Sequence, residues 1–473
     1  MKLTGLRVLN DTDIERIHAE SLRILEKAGV RVMDGECRAA LAAAGAKLDG
    51  GAERVYLPPA LVEECRALAP AEFFLYGADG TPLRVATDSH CFGSLVIDPW
   101  IIDYDTQLPR RPRLDDVTLH ARLGDAHPAV SFIYRMDMAV EDCPAQQAYI
   151  RTLEAVAANT TKPLMAAPAS AETLRNWLDV AEILADGAAG PRLIMGSPVT
   201  TPLTFHPINA AIMKAGLRAG LPFNAQSEPI AGTTAPYSFA GGLLLGNAEN
   251  LFLLTLAQVL KPGAAFAYSS GNALTDMATG RVLFYNADKM LWKTAIAQLA
   301  GFYRLPLEGE ITGSLVGRYD TQNGMELALL MLPVLLGSGG MFCGLGSCYN
   351  ACGFSAEMMV MDADLAALLQ RISAGIDFSD YMLNTDSIIE QGPGGTFLAE
   401  PFTVEMLRSG EFFTGGCFDR LGEQGRNDPA DSMLARAHER VLELSAKAPT
   451  VPARIVEALR RWAERTAGEA VPT

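Results

Sequence analysis

The feature that most constrains this chain is a cadence of short apolar runs separated by longer amphipathic stretches. Strand-like runs stand at Val130 to Arg135, Leu164 to Ala167, Leu193 to Gly196 and Phe223 to Gln226. Others follow at Ala265 to Ser269, Leu307 to Ile311, Met341 to Gly344 and Ser387 to Ile389. Several are preceded by proline (Pro163, Pro191, Pro222, Pro262, Pro306), punctuation suited to the place where a helix ends and a strand begins. Between them lie helix-spaced stretches such as Ala171 to Leu184, Asn209 to Ala219, Asn247 to Val259 and Lys289 to Tyr303. Each run is too short to be stable alone. Eight of them alternating with helices predict an α/β chain folded as a (β/α)8 TIM barrel over residues 126–425.

The flanks read as additions to that barrel. Thr12-Asp13-Ile14-Glu15 fits a capping box, and Ile14, Ile17, Leu22 and Leu25 follow helical spacing up to Gly29. Residues 1–125 are expected to form an N-terminal α/β elaboration. Helices within Pro429 to Lys447 and Val451 to Ala467 are expected to form a C-terminal helical cap over 426–473. Charge narrows the partners: 39 basic against 55 acidic side chains leave a net charge of −16, which disfavours nucleic acid and anionic membrane surfaces. The apolar stretch Phe239 to Leu260 is interrupted by Asn247, Glu249 and Asn250, and Leu327 to Leu336 is too short for a bilayer. Met1 to Asn10 lacks the apolar core of a secretory signal. Eight scattered cysteines read as reduced thiols. A soluble, cytoplasmic protein is expected.

In such a barrel the active site gathers side chains from just beyond the strands. By position these are Arg135, Asp137, Ser197, Gln226, Glu228, Ser269, Asn272, Glu310, Thr312, Tyr349, Glu390 and Gln391. The carboxylates Glu228, Glu310 and Asp320 are candidates for placing a cationic substrate, or else satisfy backbone amides in tight loops. Gln226 is a candidate contact, and Phe92, Tyr268, Tyr349 and Phe354 are candidates for an aromatic wall, or else for the core. Rings facing a cation contribute roughly 0.5–2 kcal/mol each. Neutralising Glu310 is expected to weaken cation binding and leave the fold unchanged. Asn247-Ala248-Glu249 reads as a helix cap, and Asp276-x-x-Thr279-Gly280-Arg281 as an Asp-capped turn or a site loop. None of the six histidines forms a convincing Ser-His-Asp or Cys-His set. Cys343-x4-Cys348-x3-Cys352, with Cys417, matches no standard zinc spacing. Buried thiols are the simpler reading.

The order of these motifs resembles one family. It runs from Asn247-Ala248-Glu249 through Asp276 to Arg281, then Leu305-Pro306-Leu307 with Glu310, Thr312, Ser314, Asp320, Gln322 and Glu326, to Gly392-Pro-Gly-Gly-Thr396-Phe-Leu398. It is similar to the trimethylamine methyltransferase superfamily, mostly its members without pyrrolysine, and the likeness covers nearly the whole chain. The resemblance implies an enzyme that moves a methyl group from a small quaternary amine (glycine betaine, proline betaine or carnitine-like) to the cobalt(I) of a cognate corrinoid protein. The cobalamin would be carried by that partner, docked over the barrel mouth, with no tightly bound metal in this chain. A homo-oligomer is left open. The chain holds no pyrrolysine, which the trimethylamine enzymes carry, so a quaternary amine is favoured: its nitrogen already departs as a neutral amine. Thr396 stands where family members often have histidine. Two alternatives stay open, a zinc-thiolate barrel methyltransferase and a non-catalytic barrel subunit that binds a corrinoid protein.

Overall fold

A computed structural model describes residues 6–49, 51, 53–94, 99–134, 140–420 and 431–469. Arg135 and Asp137, expected at the mouth, lie outside them. Eight strands close a barrel: β1 (His90–Ser94), β2 (Val130–Tyr134), β3 (Leu164–Ala166), β4 (Leu193–Pro198), β5 (Phe223–Gln226), β6 (Phe266–Ser269), β7 (Leu307–Glu310) and β8 (Gly340–Leu345). Every ladder between them is parallel, including the closing pair β8–β1. A helix follows each strand in turn: α1 (Leu114–Ala126), α2 (Ala145–Ala158), α3 (Ala171–Ala185), α4 (Pro207–Arg218), α5 (Phe239–Leu260), α6 (Lys289–Tyr303), α7 (Thr321–Leu336) and α8 (Ala356–Ala374). The expected (β/α)8 barrel is the fold.

Seven of the eight expected strands are present. The eighth is a correction: Ser387 to Ile389 lies in the exposed helix Thr385–Gln391, off the barrel. The strand that closes the sheet is β1, which comes from inside the N-terminal stretch. Ser-Ile-Ile is β-branched enough to read as strand, but it has no sheet edge to join, because β1 already occupies the gap between β8 and β2.

Two additions set the shape of the ends. An antiparallel hairpin, Glu72–Tyr76 with Pro82–Ala86, sits under the barrel where the strands begin. Thr87 and Ser89 accept from the amides of Gly339 and Gly340 at the start of β8. Phe73, Leu75 and Val85 of the hairpin join inward residues Cys91, Phe132, Met165, Ile194 and Met341 in one apolar cluster, so the floor is plugged. The opposite end, at the strand C-termini, stays open. N-terminal helices Asp11–Lys27, Gly35–Ala43 and Pro59–Leu68 pack on α5. That helix is long and apolar enough to cross a membrane, yet most of it is buried, because it is covered by the barrel on one side and by these helices on the other. The C-terminal helix Met433–Ser445 packs on α8 and α1, and Ala453–Glu469 on α2 and α3.

The polar residues inside α5 key these layers together. Asn247 donates to Ser21 Oγ (2.8 Å) and Tyr303 OH (2.9 Å) and accepts from Tyr268 OH (2.8 Å). Glu249 accepts from Thr201 Oγ1 (2.9 Å), the Leu203 amide (2.9 Å) and Ser227 Oγ (2.5 Å). The expected cap at 247–249 is therefore a correction: the helix begins earlier, with Ser238 as N-cap. Asp276 is an Asp-capped turn, accepting from the Ala278 amide and Thr279 Oγ1.

Candidate active site

Alternation along each strand decides what faces the barrel interior. On β7, Leu307 points out to the helices and Glu308 and Glu310 point in. On β5, Ala225 points out and Gln226 points in. Together with Tyr134, Met165, Ser269 and Cys343, these residues line a cavity of about 380 Å³ at the strand C-termini. The β5 loop adds Glu228, the β6 loop adds Gly271 and Phe284, and the β8 loop adds Asn350, Ala351 and Cys352. A larger groove of about 730 Å³ runs between the helix Asp11–Lys27 and α5–α6 on the outer surface, away from the strand ends.

The charges of the pocket form one cluster. Glu228 and Glu310 meet over Gly271: a Cβ on that glycine would stand 3.2 Å from Glu228 Cγ and 3.6 Å from Glu310 Oε1. The absent side chain is what leaves room between the two carboxyls. From α6, Lys289 Nζ lies 3.6 Å and Lys293 Nζ 3.7 Å from Glu310 Oε2, with both lysines buried. Lys293 also donates to the Glu310 backbone carbonyl. Lys289 Nζ stands 3.6 Å over the Phe284 ring and makes no hydrogen bond.

These neighbours move the titrations apart. Burial raises Glu310, but Lys289 and Lys293 outweigh it and hold the carboxylate ionised below its usual range. Burial and then the Glu310 charge push Glu228 up to about 7. Glu228 opens into the cavity, where water reaches it while the pocket is empty, so the full shift belongs to a dry, filled pocket. Glu308 is also pushed up to about 7, mainly by burial; it is 4% exposed and accepts from Cys343 Sγ at 3.4 Å. Burial lowers Lys293 to about 8 and lowers Lys289 as well. Burial and the two glutamates raise the Cys343 thiol far above its ordinary value, which leaves it a neutral inner-wall group.

Of the expected site residues, Glu228, Glu310, Gln226 and Ser269 converge here. Asp320 does not line the cavity: its carboxylate caps α7, accepting from the Asn323 amide at 3.1 Å and pairing with Arg318. Phe92 and Tyr268 lie one residue out of step with the inward positions Cys91 and Ala267, so they point into the outer core. Phe354 is buried edge-on against His120. Tyr349 is 42% exposed beside the pocket, within a run of left-handed residues, Tyr349, Asn350 and Ala351 (φ 51°, 58°, 61°). Such backbone costs roughly 1–2 kcal/mol per residue. Asn350 holds it in place, accepting from the Phe284 amide and donating to the Val282 carbonyl, both at 2.7 Å. Ser197 turns outward and accepts from Asn209 Nδ2. Glu390 and Gln391 lie in the exposed helix Thr385–Gln391. The positional reading missed Glu308, Tyr134, Phe284 and the α6 lysines. Glu308 was detectable from its i, i−2 relation to Glu310, and Tyr134 from its place at the end of β2.

No histidine completes a nucleophilic triad among the described residues. His438 Nδ1 and Ser355 Oγ both contact Glu357, at 2.9 and 3.3 Å, with the carboxylate between them. The cysteines also diverge, with Cys343 and Cys348 buried and Cys352 exposed. No group of three His, Cys, Asp or Glu is arranged to hold a metal among the described residues.

The chain is a (β/α)8 barrel with a carboxylate-rich, lysine-backed pocket at its open mouth, where barrel enzymes carry their active sites. Residues 2–470 match the model of the trimethylamine methyltransferase (MTTB) family, and the chain belongs to that family of methyltransferases. It is 28% identical to a glycine betaine methyltransferase of Desulfitobacterium hafniense (strain Y51) over 452 residues, 94% of this chain and 93% of the relative. It is 26% identical to the trimethylamine methyltransferase MttB of Desulfitobacterium hafniense (strain DSM 10664 / DCB-2) over 484 residues, 98% of this chain and 95% of that one. The crystal structure of the Methanosarcina barkeri monomethylamine methyltransferase superposes with a TM-score of 0.55 over 98% of this chain and 89% of that chain, at 12% identity. That likeness concerns the fold.

Proposed function

We propose that this chain demethylates a small quaternary amine such as glycine betaine, proline betaine or carnitine, passing the methyl group to a corrinoid protein. The observation that carries the reading is the inward convergence of Glu228, Glu308 and Glu310 with the rings of Tyr134 and Phe284 around one small cavity. A fixed cation is stabilised there by carboxylate charge and aromatic faces without any proton transfer to it. The cavity, about 380 Å³, suits a betaine-sized molecule and leaves no room for a corrin ring. A reduced corrinoid held by a partner over the mouth would supply the nucleophile that takes the methyl group. This chain's residues then have three tasks: Glu228 and Gln226 orient the ammonium, Phe284 and Tyr134 wall it, and the clamped 349–352 loop limits water. The charge balance and the free thiols support a cytoplasmic setting.

Self-association is a further part of this reading. From Gln370 to Gly416 no residue is buried, and this arm exposes Phe378, Tyr381, Ile389, Leu398, Leu407 and Phe412 among others. Its helices have 4, 7 and 9 residues, too short to persist unpacked. The arm leaves from the C-terminus of α8, at the plugged end of the barrel, so a second copy can cover it while the mouth stays free for the corrinoid partner.

The deciding experiment is anaerobic incubation of the purified chain with cob(I)alamin and, singly, glycine betaine, proline betaine, carnitine, choline or trimethylamine, read by visible absorbance. Methylcobalamin formed with one quaternary amine supports the assignment and names the substrate. Formation with trimethylamine alone overturns it.

A further inference from the structure

Both lysines of the site address Glu310. Lys289 and Lys293 approach its Oε2 at 3.6 and 3.7 Å, whereas no basic side chain lies within ion-pair distance of Glu228 among the described residues. The two ammoniums thus hold Glu310 ionised before any ligand arrives, and its charge still acts on Glu228. Glu228 lies beyond ion-pair distance of both lysines, with Lys289 acting on it more weakly than Glu310 does, and it opens into the cavity, over Gly271. In the empty pocket it sits beside a carboxylate held ionised, an arrangement that favours its protonated form. A permanent cation in the pocket reverses that preference.

We propose that Glu228 is a proton-exchanging counter-charge, so that a quaternary ammonium enters the pocket against release of one proton from this carboxyl. The inference rests on the quaternary-amine reading and deepens it. The other titratable groups facing the same space are accounted for. Glu310 is held ionised by the two lysines. Lys289 is buried behind Phe284 and Glu310, and Cys343 is kept neutral by burial. Glu308 is the competing donor, but it lies lower on the wall, enclosed and bonded to Cys343. With the Glu228 titration raised by burial and by the Glu310 charge, affinity for a fixed cation falls as pH drops through that titration and levels off above it.

The test is titration calorimetry of the whole chain with glycine betaine, choline and tetramethylammonium, whose own groups do not titrate near neutrality, in phosphate and in Tris. Below the Glu228 titration the difference in heat between the two buffers should correspond to release of up to one proton per cation, and at pH 9 to none. Glu228→Gln should abolish the release and flatten the pH dependence; Glu308→Gln should keep both. Cation binding without proton release, or release that survives in Glu228→Gln and disappears in Glu308→Gln, overturns the inference and leaves the substrate reading intact. Failure of all three probes to bind the wild-type chain overturns the substrate reading and this inference with it.

Discussion

At the scale of single residues, Glu310 shows how a pocket group can also be a structural one. From sequence, its neutralisation was expected to leave the fold unchanged. In the structure it is the counter-charge of two buried lysines, so Glu310→Gln strands both ammoniums in the barrel. The expected outcome is a loss of stability on the order of 3–5 kcal/mol together with loss of cation binding, read from urea midpoints and ligand titration on the same preparation. Tyr268 makes the opposite case. Its ring lies outside the strand cylinder and its hydroxyl satisfies Asn247 Oδ1, so Tyr268→Phe leaves a buried acceptor unpaired. About 1–3 kcal/mol of stability should be lost with ligand affinity unchanged; an affinity loss at full stability would return Tyr268 to the pocket. Both residues were visible in the sequence as chemistry-bearing. Their roles were not, because a shift of one position along a strand turns a pocket residue into a core residue.

Among elements, the helix caps and strand ends separate scaffold from site. Asp320 stands in a polar loop, yet it serves the first turn of α7. Asp320→Ala should lower the urea midpoint slightly through the lost cap, with unchanged cation affinity in the same titration. A marked fall in affinity would sink that assignment. Helix α5 teaches a related lesson: its Asn247, Glu249 and Asn250 read as interruptions of an apolar run. Each is buried and hydrogen-bonded to a different neighbour, so they fix the rotation of a helix that is otherwise apolar all round. The strand β1 escaped the sequence reading because it lacks a preceding proline and lies among hairpins rather than between amphipathic helices.

For the molecule as a whole, the unburied arm between Gln370 and Gly416 is the feature a single copy does not account for. Covering its exposed side chains would hide on the order of 1,000 Å² of apolar surface, comparable to one side of a standard interface. Light scattering after gel filtration should therefore give a mass of at least twice the 50.6 kDa of the chain. Replacing Leu398, Leu407 and Phe412 with serine should shift it toward one copy while cation binding persists. A monomeric wild-type chain would refute the second-copy assignment.

The cadence of short strands and amphipathic helices determined a parallel α/β architecture and seven of the eight barrel strands, since strands this short are buried only in a shared parallel sheet covered by helices. The family was also legible, in the order of motifs along nearly the full length. The tertiary structure alone decided which strand closes the sheet, which of two alternating faces each aromatic takes, and which carboxylates share a cavity. Those outcomes depend on register and on contacts between residues far apart in the chain: Glu228 and Glu310 meet because β5 and β7 flank β6 and Gly271 leaves the space between them empty. The lysines that set their charges come from α6, beyond α5 and β6 in the chain from Glu228, and no local pattern announces that pairing.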